Sequence, residues 1–218
     1  MPSRPAPGPE PGPEPGPEPG PEPGPEPGRA PRRILVAGTS GSGKTTLARR
    51  LSAVLDVPHT ELDGLHHGPR WTPRPEFEDD VRALAAGDAW VTEWQYRRVR
   101  PLLLGRAELL VWLDLPVAVV MWQVVRRTVR RRLERTVLWN GNVEPPLTTF
   151  LTDPDHIVRW AWRTRHKLRG LDARLATDAP HLRVVRLRSR RAVDRWLAAQ
   201  LPAAGPAQMP AEGRAEGA

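Results

Sequence analysis

Cysteine is absent from this 218-residue chain, which excludes a disulfide frame and any thiolate metal site. That absence suits a reducing compartment, and a cytoplasmic location is expected. Long apolar runs are missing as well. The longest charge-free apolar stretch, Leu115 to Val125, is bracketed by Asp114 and Arg126 and is too short to cross a bilayer. The N-terminus lacks the apolar core of a secretion signal, so neither membrane insertion nor export is expected. Lysine is nearly absent: Lys44 and Lys167 stand against 31 arginines. Positive charge is missing from both ends. Met1 to Gly28 carries one arginine and five glutamates, net −4, and Pro202 to Ala218 nets −1, leaving +13 for the middle of a chain whose total is +8. A body that basic favours polyanions such as nucleotides, nucleic acid or acidic lipid, unless arginine merely coats its surface.

What is present is organised around Gly38 to Thr45, reading G-T-S-G-S-G-K-T, which fits the phosphate-binding pattern G-x-x-x-x-G-K-[ST] without a mismatch. The apolar run Ile34 to Ala37 precedes it as a buried strand, and Thr46 to Leu51 follows as a helix. The chemistry needs that order. Glycines let successive backbone N–H groups curl around a phosphate, and the helix aims its positive end at the same anion. The expected nucleotide cradle is Gly38, Thr39, Ser40, Gly41, Ser42, Gly43, Lys44, Thr45 and Thr46. Lys44 would reach the β- and γ-phosphates of ATP, and the Thr45 hydroxyl would hold Mg²⁺. Lysine suits that post because it is a compact, mobile point charge.

Taken in order, residues 1–31 contain five Pro-Gly-Pro-Glu repeats with nothing apolar to bury, which predicts a disordered, partly polyproline-II arm. The folded body is expected at 32–201, followed by a disordered tail at 202–218. Strands are predicted at Arg33 to Ala37, Pro58 to Asp63, Trp90 to Glu93, Leu109 to Leu113 and His181 to Leu187. Helices are predicted after the loop to Leu55, from Pro75, from Pro116 to Leu133, from Asp153–Pro154 to about Leu171, and from Arg191 to Leu201. Strand alternating with helix at this spacing predicts an α/β fold of three layers, a five-stranded parallel sheet with helices on both faces.

These features together resemble the nucleotide and small-molecule kinases of the adenylate kinase class, P-loop NTPases in fold. Within them the chain is most similar to the bacterial adenylate kinase-like or DNA topology modulation proteins. The resemblance is carried by Gly38 to Thr45, Leu62-Asp63 with Trp71, Leu109 to Pro116, the arginines from Arg126 to Arg132, and Leu138-Trp139-Asn140-Gly141-Asn142 with Glu144. Where that group has Asp-Gly-Asn-Tyr, this chain has Glu93-Trp94-Gln95-Tyr96, keeping carboxylate and tyrosine and losing the glycine turn. The resemblance implies transfer of the γ-phosphoryl group of ATP to a nucleotide or another small acceptor. It implies Glu93 for Mg²⁺, Asp63 at the acceptor, and an arginine-rich lid at about 126–152. Asp63 would be a general base for an alcohol and a positioning group for a nucleotide phosphate. Arg127 and Arg131 share one helix face at i, i+4, as do Arg126 and Arg130, and the lid arginines would neutralise charge on the phosphates. Asp114 is a third strand-end carboxylate competing with Asp63 and Glu93 for the ion.

His66 and His67 stand near Asp63, but no further ligand pair lies at metal spacing, so no structural metal is expected there. Of nine tryptophans, Trp90, Trp112, Trp122 and Trp196 fall in element patterns and read as core. Trp71, Trp94 and Trp139 fall at the active edge, and Trp160 and Trp162 cannot share one helix face, so one is expected to be exposed or to cover the lid. The alternative function is a nucleotide-binding regulator whose basic surface contacts nucleic acid, although no groove-reading motif is present. GTPase base motifs and the transport-ATPase signature are absent.

Overall fold

The computed structural model describes residues 29–142, 148–153 and 156–200, with the side chains of Phe150 and Leu151 also excepted. The two terminal tails, Glu144 and Pro154 therefore lie outside the described residues. Among those described, five strands form one parallel sheet in the order β2-β3-β1-β4-β5. They are Arg33–Gly38 (β1), His59–Thr60 (β2), Trp90–Glu93 (β3), Leu109–Leu113 (β4) and Arg183–Leu187 (β5). The helices are Lys44–Leu55 (α1), Leu62–His66 (α2), Phe77–Ala86 (α3), Arg100–Arg106 (α4), Val117–Leu133 (α5), Thr149–Thr152 (α6), Ile157–Arg163 (α7), Leu171–Asp178 (α8) and Arg190–Ala198 (α9). This is the expected three-layer α/β arrangement.

Strand periodicity sorts the core into two layers. Ile34 and Val36 face one side with Leu109, Val111 and Leu113, where α1 and α9 cover them with Leu47, Leu51 and Leu197. Leu35 and Ala37 face the other side with Leu110 and Trp112, under Val81 of α3, Leu103 of α4 and Leu171 of α8. Each fully buried Leu, Ile or Val contributes about 1.5–3 kcal/mol, so the three inner strands dominate the sheet's stability. The edges are blunted: β2 is two residues long, and β5 carries exposed Arg183 and Arg186.

The structure departs from the expected elements at named places. The second strand stops at Thr60, and Asp63 stands in the first turn of α2 instead of at a strand end. The single helix expected up to Leu171 breaks after Arg163, because Thr164 to Arg169 form turns that Gly170, at φ 68°, closes in left-handed geometry. His156, not Asp153, caps α7, its Nδ1 accepting from the Val158 N–H at 3.3 Å. Trp90 and Trp112 are core, but Trp122 is 58% exposed. The buried face of α5 is Val120, Val124 and Thr128, at i, i+4 and i+8, which turns Trp122 outward. Trp160 and Trp162 are both exposed, each under an arginine, Arg163 and Arg165 respectively. No helix among the described residues is long and apolar enough to cross a membrane.

Candidate active site

The loop from Gly38 to Thr45 runs straight from β1 into α1. Gly43, at φ 96°, sets the N-terminus of α1 with no side-chain cap and no acid in the first turn. The helix's first N–H groups are thus left for an incoming anion. Open space surrounds the position a Gly43 Cβ would take, which is what a phosphate cradle requires. Gly41 is needed for another reason. At φ 82°, a Cβ there would come 2.0 Å from Val124 Cγ2, because α5 packs directly against the loop. The Ser42 N–H bonds the Thr39 carbonyl at 3.1 Å and tightens the turn. Thr46 lies exposed in the first turn of α1.

The Lys44 ammonium folds back over this loop and donates to the Thr39 carbonyl at 3.3 Å. Burial, then the charge of Lys167, lower its pKa from 10.5 to about 8, while Asp63 and Glu93 pull it upward and Arg127 pushes it down. Asp63, Glu93, Lys167 and Arg127 are thus the charges that act on Lys44. Arg131 lies one turn further along α5, half-buried. Glu93 ends β3 beside the loop strand, 2% exposed. Burial works to raise its pKa, but hydrogen bonds from His59 and Thr45 outweigh burial and hold the carboxyl below its ordinary value. His59 Nε2 is 3.5 Å from Oε1, and Oε2 is shut off from solvent with no hydrogen-bond partner. An orphaned carboxylate oxygen next to a threonine hydroxyl fits Mg²⁺, which takes one or two carboxylates and completes its shell with water and phosphate. Asp114 is spent elsewhere: Arg186 grips its Oδ2 at 2.7 Å and 2.9 Å and bonds Asp172 as well.

Asp63 is held by residues that follow β3. Its Oδ1 accepts from Gln95 Nε2 at 2.8 Å and from the Tyr96 hydroxyl at 2.6 Å. Burial first, then the Asp63 charge, raise the Tyr96 phenol, which therefore stays protonated and keeps donating. Tyr96 stacks on His66, with ring centroids 4.2 Å apart, and its hydroxyl is 3.2 Å from His67 Nε2. Both histidines thus buttress the tyrosine that orients Asp63.

The segment Trp139 to Asn142 closes onto this side. Trp139 Nε1 donates to Glu61 at 2.9 Å, and Glu61 also receives Arg49. Asn142 donates to the Gly68 and Trp139 carbonyls and accepts from the Trp71 N–H. Trp71 and Trp139 pack against each other edge to face, while Trp94 is buried beneath Arg100. Glu61, Arg100 and Lys167 carried no local motif. Only the scarcity of lysine, which singled out Lys44, applied equally to Lys167.

A scan of protein-family models and a search of curated proteins give no match. Among solved structures, the chain is similar to a gluconokinase from Sinorhizobium meliloti 1021, with 19% identity, TM-score 0.46, and 78% of this chain and 90% of that one covered. It is similar to a shikimate kinase from Bacteroides thetaiotaomicron, with 14% identity, TM-score 0.44, and coverage of 78% and 96%. A shikimate kinase from Acinetobacter baumannii in complex with shikimate shows 17% identity, TM-score 0.41, and coverage of 77% and 89%. Likenesses this weak assign no substrate.

Proposed function

We propose that this chain is an ATP-dependent phosphotransferase that moves the γ-phosphoryl group of ATP to a hydroxyl of a small acceptor. One observation carries the reading: the Asp63 carboxylate is held by Gln95 and Tyr96, and its charge acts on the ammonium of the phosphate loop. A binding module needs the loop but has no use for an oriented base opposite it. The acceptor oxygen bonds to the γ-phosphorus as the bond from that phosphorus to the β–γ bridging oxygen breaks. The hydroxyl proton passes to Asp63 and ADP departs. Lys44 and the first N–H groups of α1 hold the phosphates, and Arg127 adds charge from α5, with Arg131 behind it. Mg²⁺, when bound, neutralises phosphate charge, and Thr45 with Glu93 would hold the ion or its waters.

Membership of the adenylate kinase-like group rests on the motif residues, and the docking of Trp139 to Asn142 beside Asp63 supports a role for that segment at the acceptor. The nucleic-acid alternative has net charge alone behind it. The test is a coupled assay with ATP, Mg²⁺ and a panel of nucleosides, nucleoside monophosphates and alcohols. Transfer to at least one alcohol is expected, together with its loss in Lys44→Ala at unchanged circular dichroism. Equal activity in that variant would sink the assignment.

A further inference from the structure

Besides its buried face, α5 carries a second apolar stripe that turns away from the core. Val120, Val124 and Thr128 are buried, while Ala118, Trp122, Val125, Val129 and Leu133 recur every three or four residues along the outer side. Trp122 is 58% exposed, Val125 45% and Leu133 76%. Trp122, Val125, Val129 and Leu133 line a groove of about 550 Å³, with Arg126, Arg130 and Glu134 along it. A continuous exposed apolar face with a polar rim marks a place where something docks.

The rim is basic. Arg126 lays its guanidinium 5.1 Å from the centre of the Trp122 ring, and no described carboxylate pairs with it. Arg130 meets Glu134 at 3.8 Å within the same helix, with both side chains exposed, and such a pair is weak in water. Charge complementarity therefore asks for an acidic occupant. A second copy fits poorly, since it would set Arg126 and Arg130 of one helix against their equals on the other, between bodies of +13 each. The tail from Pro202 to Ala218 nets only −1.

The segment from Met1 to Gly28 has the matching chemistry. It nets −4, with Glu10, Glu14, Glu18, Glu22 and Glu26 at every fourth residue and proline at every second residue from Pro5 to Pro27. Proline-rich chain in the polyproline II form docks on exposed aromatic rings and loses little conformational entropy in doing so. Its carboxylates can meet guanidinium groups at the same time. The arm is also long enough. At about 3.1 Å per residue it spans up to about 85 Å, against about 40 Å across a domain of this size.

We propose that the acidic Pro-Gly-Pro-Glu arm of this same chain docks in the α5 groove, its prolines on Trp122 and its glutamates on Arg126 and Arg130. The inference goes beyond the phosphotransfer reading and does not depend on it. The tether supplies the arm at an effective concentration of about millimolar, so individually weak contacts suffice. An arm so placed competes with other polyanions for these two arginines.

The lack of cysteine in the native chain makes disulfide trapping specific. The full chain carries Glu18→Cys together with Val125→Cys in the groove, or with Ala53→Cys as the control. Ala53 is exposed on α1, which returns beside β1 toward the end of the strand where the arm joins. An arm with no docking site would meet Ala53 at least as often as Val125. Rates are normalised to the reaction of each thiol with neutral iodoacetamide, which removes the effect of nearby arginines on thiol reactivity. The intramolecular bond to position 125 is expected to form about tenfold faster than the bond to position 53. That advantage falls below about twofold with Arg126→Gln and Arg130→Gln combined, or in about 0.5 M sodium chloride. Equal rates at the two positions, no bond at position 125, or a preference that survives both substitutions overturns the proposal. Covalent dimers of the chain carrying Val125→Cys alone, formed faster than the intramolecular bond, would assign the groove to a second copy and overturn it as well. A further measurement needs no cysteine. Replacing the five arm glutamates by glutamine in the full chain should increase acrylamide quenching of Trp122, read as the difference from the same chain with Trp122→Phe. Unchanged quenching leaves the groove to a partner outside this chain and overturns the arm as its occupant.

Discussion

Lys44 is held in the folded chain against its own electrostatic interest. Its pKa falls from 10.5 to about 8, so the charged form is less favourable in the folded chain than in the unfolded one. At pH 7 both states carry the proton and the whole penalty is present. Between about 8 and 10.5 the unfolded chain binds more protons, so the contribution of Lys44 to stability improves with rising pH. Lys44→Met is therefore expected to melt higher than the wild type at pH 7, by about 2–4 °C for each kcal/mol relieved. The gap should close as pH rises through that window, and calorimetry across it checks the sign. The same variant is expected to lose phosphoryl transfer, which is how strain at a functional residue shows itself. Asp63 makes a second residue-level prediction. Asp63→Asn preserves shape and removes the base, so kcat should fall about 10²–10⁴-fold while the KM for ATP holds. A fall in ATP affinity instead would place Asp63 on the nucleotide side. Tyr96→Phe removes one of the two bonds on Oδ1 and should lower kcat by a smaller factor, since it orients the carboxylate without touching substrate.

At the scale of elements, α5 does two jobs with two halves. Its first half packs Val120 and Val124 against the phosphate loop, and its second half carries arginines. Gly41→Ala tests the first half. The added methyl meets Val124 Cγ2 at a φ of 82°, so both steric overlap and backbone strain act. A loss of about 2–4 kcal/mol in urea denaturation is expected. Val124→Ala on that background should restore only the steric part, which a double-mutant cycle isolates. The last turn of α5 holds Arg130, Arg131 and Arg132, where cations suit the helix dipole, so their number has a bland element-level use besides any lid. The segment Trp139 to Asn142 acts as a strap whose hydrogen bonds land on Glu61, just before α2, and on His67, Gly68 and Trp71 after it. On the proposed reading it borders the acceptor, so Asn142→Ala is expected to raise the acceptor KM more than that for ATP.

At the scale of the molecule, a body of net +13 repels itself. Its melting temperature should rise as sodium chloride is raised from about 10 mM to 500 mM, because the Debye length shrinks from about 30 Å to below 5 Å. A flat profile would mean that ion pairs such as those of Arg186 already balance the surface. Much of the architecture was legible in the chain itself. The strands Trp90–Glu93 and Leu109–Leu113, the loop, and α5 from Val117 to Leu133 lie where unbroken apolar runs, a glycine pattern and a helical period put them. Such signals are local, and burial of continuous runs at the sheet centre leaves them no alternative conformation. Trp122 shows the limit: a period of 3.6 says that α5 has a buried face, and only the docked loop says which one. The site divides along the same line. The chain by itself determined the phosphate cradle, since strand, loop and helix are contiguous and backbone N–H groups need no distant partner. Tertiary structure alone decided that Asp63 belongs with Gln95 and Tyr96. Asp63 lies in α2 and its partners follow β3, 32 and 33 residues further on, so those bonds form only once the two segments have packed together.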